Sequence, residues 1–228
     1  MSTTLALDVY GTLIDPFAIK TSLIDHVGDK ADVFAETWRT KQLEYSFRRG
    51  LMGVYRDFSH VTRAALDYAC EMHGARIADD DKNELMNHYR ALDAFPDVAT
   101  ALSALQQRGV ALHAFSNGVA DDITALLNHA GLGDRISSIV SADEVHTFKP
   151  DPRFYAHFLE RTQSTADLTW LVSSNPFDVI GAQACGWRTV WVKRNPKVVF
   201  DPWGHVPTAI ISGLMELPAL FTSDKGAA

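Results

Sequence analysis

The sequence predicts an α/β protein with a doubly wound, Rossmann-like parallel sheet and an inserted all-helical cap domain. The first observation is the apolar run 5–7, which ends in Asp8 and a Gly-Thr turn, as a strand buried in a parallel sheet does. The second is helical periodicity over residues 16–94, with no convincing strand pattern within it. The third is alternation of helix and strand patterns from residue 95 onward, which indicates parallel strands joined by crossover helices.

The segment that follows the first strand is predicted to be helical. Apolar residues recur in it at helical intervals, namely Val33, Phe34, Trp38, Leu43 and Phe47. Two further helical stretches cover 54–72 and 82–92. We therefore expect residues 16–94 to form a helical cap over the active end of the sheet.

The segment from residue 95 is predicted to supply the other strands and their crossover helices. The predicted strands are 110–115, a short one near 139, 168–172, 189–192 and a weak one at 209–211. The predicted helices run through Leu105, 121–129, 154–161 and 180–184. We expect residues 1–15 and 95–228 to form the catalytic core, with the tail 222–228 frayed.

Composition limits the possible partners. The chain has 228 residues, 46% of them hydrophobic, which is enough for a core of ordinary size. A net charge of −7 without a basic patch argues against nucleic acid. Because no apolar run is long enough to span a membrane and the first residues lack the pattern of a secretion signal, we expect a cytoplasmic protein with no membrane partner.

Cysteines and histidines give no sign of a metal site. Cys70 and Cys185 lie far apart in segments predicted to be helical, so we expect buried thiols rather than a disulfide or metal ligands. The nine histidines show no zinc-ligand spacing. The predicted site therefore contains no metal.

Asp8 is the first candidate catalytic residue because it ends the first predicted strand. Ligands of open α/β sheets bind at the carboxyl ends of the strands, so a carboxylate at that place is positioned for chemistry. The alternative is an Asp-x-x-Gly turn at 8–11, in which the side chain satisfies its own backbone. These residues alone leave both interpretations open.

Polar groups also follow three later predicted strands, where a parallel sheet would bring them beside Asp8. They are Ser116-Asn117-Gly118, Lys149-Pro150-Asp151 and Ser173-Ser174-Asn175-Pro176-Phe177-Asp178. Taken singly, Ser-Asn-Gly is a good turn and a lysine is usually solvated. The combination is more specific than any one of its pieces.

This set of motifs resembles that of the haloacid dehalogenase superfamily, whose first motif is Asp-x-Asp-x-Thr. Here Tyr10 occupies the position of the second Asp, which is the general acid and base in the superfamily's phosphatases. Ser174 occupies the position of one of the two acids that help those phosphatases to hold Mg²⁺. Both replacements resemble the L-2-haloacid dehalogenase branch, which implies an enzyme without a metal or other cofactor.

A second resemblance to the same branch lies in the predicted cap. The run Trp38-Arg39-Thr40-Lys41-Gln42-Leu43-Glu44-Tyr45 resembles the branch's cap-helix motif, in which the Arg contacts the departing halide. Considered alone, Arg39 would be a surface arginine paired with Glu36 one turn away. The length of the match favours the halide role for Arg39.

The resemblance implies a reaction and a set of site residues. Asp8 would displace halide from C2 of a short L-2-haloacid, and water would hydrolyse the aspartyl ester to give the D-2-hydroxy acid. The implied catalytic residues are Asp8, Thr12, Arg39, Ser116, Lys149, Tyr155, Ser173, Asn175 and Asp178. The carboxylate-binding residues would be Val9, Tyr10, Ser116 and Asn117, and the halide-binding residues Arg39, Asn117 and Phe177. The apolar pocket would consist of Tyr10, Leu43, Phe58 and Phe177.

Two alternative functions and one quaternary expectation accompany this hypothesis. A metal-dependent phosphatase would share the fold and nucleophile but needs the acids replaced at Tyr10 and Ser174. A non-catalytic binding member would have no evident reason to keep Asp8, Ser116 and Lys149. Enzymes of the resembled branch are commonly dimers built through the cap helices, which implies a homodimer here.

Overall fold

A six-stranded, fully parallel sheet forms the centre of the computed structural model, which describes residues 3–221. The strands are β1 (Thr4–Asp8), β2 (Ala111–Ser116), β3 (Ser138–Ser141), β4 (Thr169–Ser173), β5 (Arg188–Val192) and β6 (Ala209–Ile211). Their order across the sheet is β3-β2-β1-β4-β5-β6. Since β1 lies between β2 and β4, Asp8 stands in the middle of the carboxyl edge.

The helices either flank the two faces of the sheet or form an insertion between β1 and β2. They are α1 (Lys20–Val27), α2 (Ala31–Met52), α3 (Phe58–His73), α4 (Asp79–Tyr89), α5 (Val98–Gln106), α6 (Ala120–His129), α7 (Pro152–Thr162), α8 (Pro176–Ala184) and α9 (Leu217–Leu220). Leu5 and Leu7 of β1 pack into the same cluster as residues of α5, α6 and α9, whereas Ala6 packs with residues of α7 and α8. This alternation buries all of β1 and confirms the doubly wound α/β fold.

The helices α1–α4 lie in the chain between β1 and the rest of the sheet, and we call residues 16–94 the helical insertion. Its two ends leave the sheet side by side. Ile14 and Ala94 form an isolated antiparallel bridge, and the Phe95 N–H donates to the Leu13 carbonyl at 3.0 Å. Buried residues of α2, α3 and α4 belong to the same apolar cluster as Leu5 and Leu7, so the insertion and one sheet face share a continuous core.

Helix boundaries differ from the sequence-based expectation where capping groups intervene. The predicted helix at 54–72 begins only at Phe58, because the Asp57 carboxylate caps it by accepting the His60 N–H at 2.7 Å. Gly53, with φ of +67°, ends α2 just before it. The helix expected at 82–92 is α4, which begins earlier because three consecutive aspartates at 79–81 fill its first turn.

The buried face of α2 also differs from the predicted apolar stripe. Val33 is 48% exposed, so its assignment to the stripe is wrong, while Phe34 and Trp38 are buried. Beyond Trp38 the buried positions are polar, namely Gln42 and Ser46. The 3.6-residue period places these two residues on the face of Trp38.

Other sequence expectations have mixed outcomes. Cys70 is a buried free thiol in α3, whereas Cys185 is half-buried because it follows the last turn of α8. Within residues 3–221, none of the helices is both long and apolar enough to cross a membrane. The expected fraying at 222–228 lies outside the described residues.

A close contact between α8 and α7 generates a stability prediction. A Cβ at Gly181 would lie 2.5 Å from the Tyr155 hydroxyl and 2.7 Å from Cβ of Pro150. We expect Gly181→Ala to destabilise the protein by about 1–3 kcal/mol, because both neighbours are packed side chains. Urea unfolding midpoints of variant and wild type measure this effect.

Gly50→Ala is the matched control, because Gly50 is also helical but has space. The nearest atom to a Cβ there is the Thr147 hydroxyl at 3.6 Å, an ordinary contact. We expect this change to stabilise the protein by up to about 1 kcal/mol through helix propensity. Equal midpoints for the two variants would contradict the packing argument at Gly181.

Candidate active site

The carboxyl edge of the sheet gathers the polar groups that follow the strands. Asp8 ends β1, Ser116 ends β2, and Ser173 ends β4. Lys149 reaches the same edge from the loop that follows β3. Because all the strands run parallel, these groups meet at the carboxyl edge of the sheet, as the sequence predicts.

Asp8 is held by three side-chain donors. The Thr12 hydroxyl donates to Oδ2 at 2.7 Å, and the Asn175 amide Nδ2 donates to the same oxygen at 2.8 Å. The Lys149 ammonium donates to Oδ1 at 3.0 Å. The loop after β1 folds back through N–H bonds to the Val9 carbonyl, which brings Thr12 against Asp8. The turn interpretation of Asp8 is therefore wrong, since its carboxylate accepts from side chains rather than from its own turn.

Lys149 bridges two carboxylates and is only 2% exposed. Its Nζ lies 3.0 Å from Asp8 Oδ1 and 2.7 Å from Asp178 Oδ2, and 4.3 Å from the centre of the Phe115 ring. The alternative of a solvated lysine is therefore wrong. One buried cation instead compensates two acids that would otherwise repel each other.

Asp178 is the deepest acid of the site, with no solvent exposure. Besides the Lys149 ion pair, its Oδ1 accepts the Tyr155 hydroxyl at 2.8 Å. Burial raises the pKa of Asp178 against the opposing effect of Lys149. Burial and the nearby Asp178 also raise the pKa of Tyr155, so this phenol remains a hydrogen-bond donor.

The turn after β2 supplies a hydroxyl and an amide. The Ser116 hydroxyl accepts the Gly118 N–H at 3.1 Å, so this segment is the good turn that its composition suggests and also faces the site. The Asn117 Oδ1 accepts the Lys149 backbone N–H at 2.8 Å. Its oxygen is thereby occupied, which leaves the Nδ2 group as the end available to an anion.

The turn after β4 orients a second amide. The Ser173 hydroxyl is fully buried and accepts the Asn175 N–H at 3.1 Å. The Asn175 Nδ2 donates to Asp8 and also to the Tyr10 carbonyl at 3.2 Å. The Ser174 N–H connects this turn to the loop after β1, because it donates to the Thr12 hydroxyl at 2.8 Å.

A small cavity lies above Asp8, with a volume of about 10 Å³. Such a volume holds at most about one water molecule. Its lining residues are Asp8, Tyr10, Arg39, Leu43, Phe58, Ser116, Asn117, Lys149, Asn175 and Phe177. All of them are among the residues that the sequence singled out. A larger cavity of about 500 Å³ adjoins it, since Arg39, Leu43 and Asn175 line both.

Five predicted site residues stand outside the cavity lining. Thr12, Tyr155, Ser173 and Asp178 support lining residues through the hydrogen bonds above. The Val9 side chain is buried in the apolar core, so only its backbone could reach a ligand. Substrate binding by the Val9 N–H stays a prediction.

Arg39 reaches the cavity from α2 without a carboxylate partner. Its Nη1 donates to the Gln42 Oε1 at 2.6 Å and its Nη2 to the Tyr10 carbonyl at 3.3 Å. The suggested pair with Glu36 is therefore wrong. In the part of the chain that the structure describes, no acidic group lies within ion-pair distance of Arg39, and its charge remains available to an anion.

Sequence reasoning did not identify a buried polar network behind Arg39. Gln42 has no solvent exposure, and its Nε2 donates to the Thr62 hydroxyl at 2.6 Å. The Tyr89 hydroxyl donates to the Gln42 Oε1 at 3.1 Å. The available signal was a long polar residue on the helical face of Trp38, three positions after Arg39.

Comparison with known proteins identifies the family of this chain. Residues 3–186 match the family model described as haloacid dehalogenase-like hydrolase. A relative from Pseudomonas sp. (strain CBS-3), (S)-2-haloacid dehalogenase 1, is 37% identical, with 93% of each chain covered. A solved structure described as a dehalogenase is 32% identical with a TM-score of 0.93 over 98% of each chain.

A further solved structure contains a covalently bound ligand. It is an L-2-haloacid dehalogenase from Xanthobacter autotrophicus with chloropropionic acid covalently bound, 30% identical at a TM-score of 0.89. The superposition covers 96% of this chain and 98% of that one. The chain therefore belongs to the haloacid dehalogenase-like hydrolases, in the branch of the L-2-haloacid dehalogenases.

Proposed function

We propose that this protein hydrolyses short L-2-haloacids to D-2-hydroxy acids through an ester on Asp8, with inversion at C2. The observation that carries the proposal is the setting of Asp8. Its carboxylate is held by Thr12, Asn175 and Lys149 and faces a small cavity. The cavity is also lined by an arginine that forms no ion pair with an acid among the described residues. The relatives named (S)-2-haloacid dehalogenase and the structure with covalently bound chloropropionic acid support the same reaction.

In the first step Asp8 attacks C2 of the substrate. We assign the attack to Oδ1, because it accepts one hydrogen bond whereas Oδ2 accepts two. A bond forms between Oδ1 and C2 as the carbon–halogen bond breaks, and halide departs with the bonding electron pair. Approach from the side opposite the halogen inverts C2.

Substrate contacts follow from the lining of the cavity. The carboxylate would be bound by the Ser116 hydroxyl and by backbone N–H groups, those of Val9, Tyr10 and Asn117. The halide would be held by Arg39, by the Asn117 amide and by the positive ring edge of Phe177. The wall around C2 would be formed by Tyr10, Leu43, Phe58 and Phe177.

In the second step water attacks the carbonyl carbon of the Asp8 ester. The bond between that carbon and the oxygen attached to C2 is intact until the tetrahedral intermediate collapses, so cleavage on the carbonyl side leaves C2 inverted. One proton of the water passes to the departing alkoxide and the other is released when Asp8 ionises again. Asp178 would take up the first proton, with Lys149, Asn175 and Ser173 orienting the water.

Charge compensation within the site favours this reaction over phosphoryl transfer. Lys149 offsets the repulsion between Asp8 and Asp178 from inside the protein. A phosphatase would need a general acid two residues after the nucleophile, where Tyr10 stands with its pKa raised by burial. Independence from metals stays a prediction, tested with a chelator below.

We further propose that the helical insertion acts as a cap over a core of residues 1–15 and 95–228. Arg39, Leu43 and Phe58 come from the insertion and line the cavity, so the site is complete only when both parts meet. The paired chain ends at Ile14 and Ala94 support boundaries near 15 and 94.

A homodimer formed through the insertion and a cytoplasmic location also belong to the proposal. Leu51, Met52 and Met72 are 91%, 64% and 65% exposed on the insertion, and large exposed apolar side chains are typical of an interaction surface. Light scattering after size exclusion measures the dimer directly.

The substrate proposal predicts stereospecific halide release. We expect chloride from L-2-chloropropionate and not from its D enantiomer, because only one enantiomer places the halogen near Arg39 with the carboxylate on Ser116. Chelation by EDTA should leave the rate unchanged. Phosphate release from p-nitrophenyl phosphate with Mg²⁺, without chloride release, would overturn the proposal in favour of a phosphatase.

The roles of the nucleophile and of the halide ligand predict different losses. Asp8→Ala should abolish turnover, because no ester can form. Arg39→Ala should lower the rate of halide release on the order of 100- to 1,000-fold, because a preorganised donor to the developing anion is lost. Single-turnover halide release measures both, and a wild-type rate in either variant would contradict the assignment.

Asp178→Asn should trap the ester. Without the carboxylate that takes up the proton, one equivalent of halide per site should appear in a burst, and mass spectrometry should find the adduct on Asp8. Since burial raises the pKa of Asp178 above the usual 3.8, ester hydrolysis by the wild type should accelerate with pH above that value until Asp178 is ionised. This acidic limb should be absent from Asp178→Asn; its persistence would exclude Asp178 as the base.

A further inference from the structure

We infer that Gln42 is a positioning residue for Arg39, one that orients the guanidinium without neutralising its charge. The inference rests on the proposed function, in which Arg39 receives the departing halide. Gln42 lies on α2 three residues after Arg39, on the buried side of the helix. A fully buried amide there needs hydrogen-bond partners, since an unsatisfied one would cost about 1–3 kcal/mol.

The orientation of the Gln42 amide is determined by its neighbours. Its Oε1 faces two donors, the Arg39 Nη1 at 2.6 Å and the Tyr89 hydroxyl at 3.1 Å. Its Nε2 faces the Thr62 hydroxyl at 2.6 Å, which in turn donates to the Phe58 carbonyl. Rotating the amide by 180° would set Nε2 against the Arg39 guanidinium, which has only donors, so the observed orientation is the one that satisfies this contact.

Three helices of the insertion therefore hold one guanidinium. Gln42 belongs to α2, Thr62 to α3 and Tyr89 to α4. The Tyr89 ring also stacks on Tyr10 with centroids 5.4 Å apart, and the Tyr10 carbonyl accepts the second Arg39 contact at 3.3 Å. The network thus relates Arg39 to the wall of the cavity and to the loop that carries Asp8.

The neutrality of Gln42 is what the chemistry requires. A glutamate would hold Arg39 as well, but its carboxylate would form an ion pair and weaken the field that the guanidinium presents to a halide. The two observed acceptors of Arg39, an amide oxygen and a backbone carbonyl, carry no net charge. The Arg39 guanidinium is therefore held in one orientation while these partners leave its positive charge uncompensated.

Two variants separate position from charge. Gln42→Met keeps the length of the side chain and removes its three hydrogen bonds, so Arg39 should leave its place. Gln42→Glu keeps the acceptor, so Arg39 should stay in place with its charge compensated. Ser46→Ala is the control, because Ser46 is equally buried on α2 and its hydroxyl donates only to the Leu43 carbonyl.

The measurement is the single-turnover rate of halide release from L-2-chloro-, bromo- and iodopropionate. We expect both Gln42 variants to lose about 10- to 100-fold with the chloro substrate, because a hydrogen bond to a charged group is involved. The loss should be clearly smaller with the iodo substrate, since iodide leaves with less help. Ser46→Ala should match the wild type. Losses that are equal for the three halogens would indicate a merely structural role and overturn the inference.

A double-mutant cycle and a crystal structure complete the test. In an Arg39→Lys background, Gln42→Met should have little further effect, because the residue it positions is gone. Crystal structures of Gln42→Met and Gln42→Glu should show Arg39 displaced in the first and unmoved in the second. An unmoved Arg39 in Gln42→Met would refute the positioning role, whatever the activity of the wild type. A wild type that released no halide would separately refute the proposed function.

Discussion

The site depends on one buried ion triad, in which the Lys149 ammonium lies between Asp8 and Asp178. Without that cation, two carboxylates this close and this buried would repel each other. The attraction within a buried ion pair offsets the cost of desolvation only when further hydrogen bonds complete it. Thr12, Asn175 and Tyr155 supply those bonds, so the loops after β1 and β4 and helix α7 complete this triad.

The second constraint is that the cavity is shared by two parts of the chain. Acids and amides come from loops at the sheet edge, whereas Arg39 and two apolar walls come from the helical insertion. The cavity is as small as one water molecule, so a substrate enters only if the parts separate or side chains move. The adjoining larger cavity shares the lining residues Arg39, Leu43 and Asn175 with it.

Sequence patterns predicted the bounds of strands and helices well where a whole segment is buried. They predicted helix starts and buried faces less well where a side-chain cap or buried polar residues determine them. β6 agrees with its prediction because a short apolar run between turn residues has few alternatives. The start of α3 was missed because one side-chain cap at Asp57 determines it. Val33 fits the apolar period of α2 but is exposed, because the buried side of this helix continues through Gln42 and Ser46.

The sequence by itself determined the fold class, the strand ends that carry chemistry and every residue that lines the cavity. The strand-end groups follow from the way parallel strands bring their carboxyl ends together. Arg39, Leu43 and Phe58 follow from the resemblance of the motifs to those of the L-2-haloacid dehalogenases. Only the tertiary structure decided which partner each group takes: that Asp8 is not a turn residue, that Lys149 bridges two acids and that Arg39 has neutral partners. These outcomes depend on distances between residues far apart in the chain, and no local pattern encodes such distances.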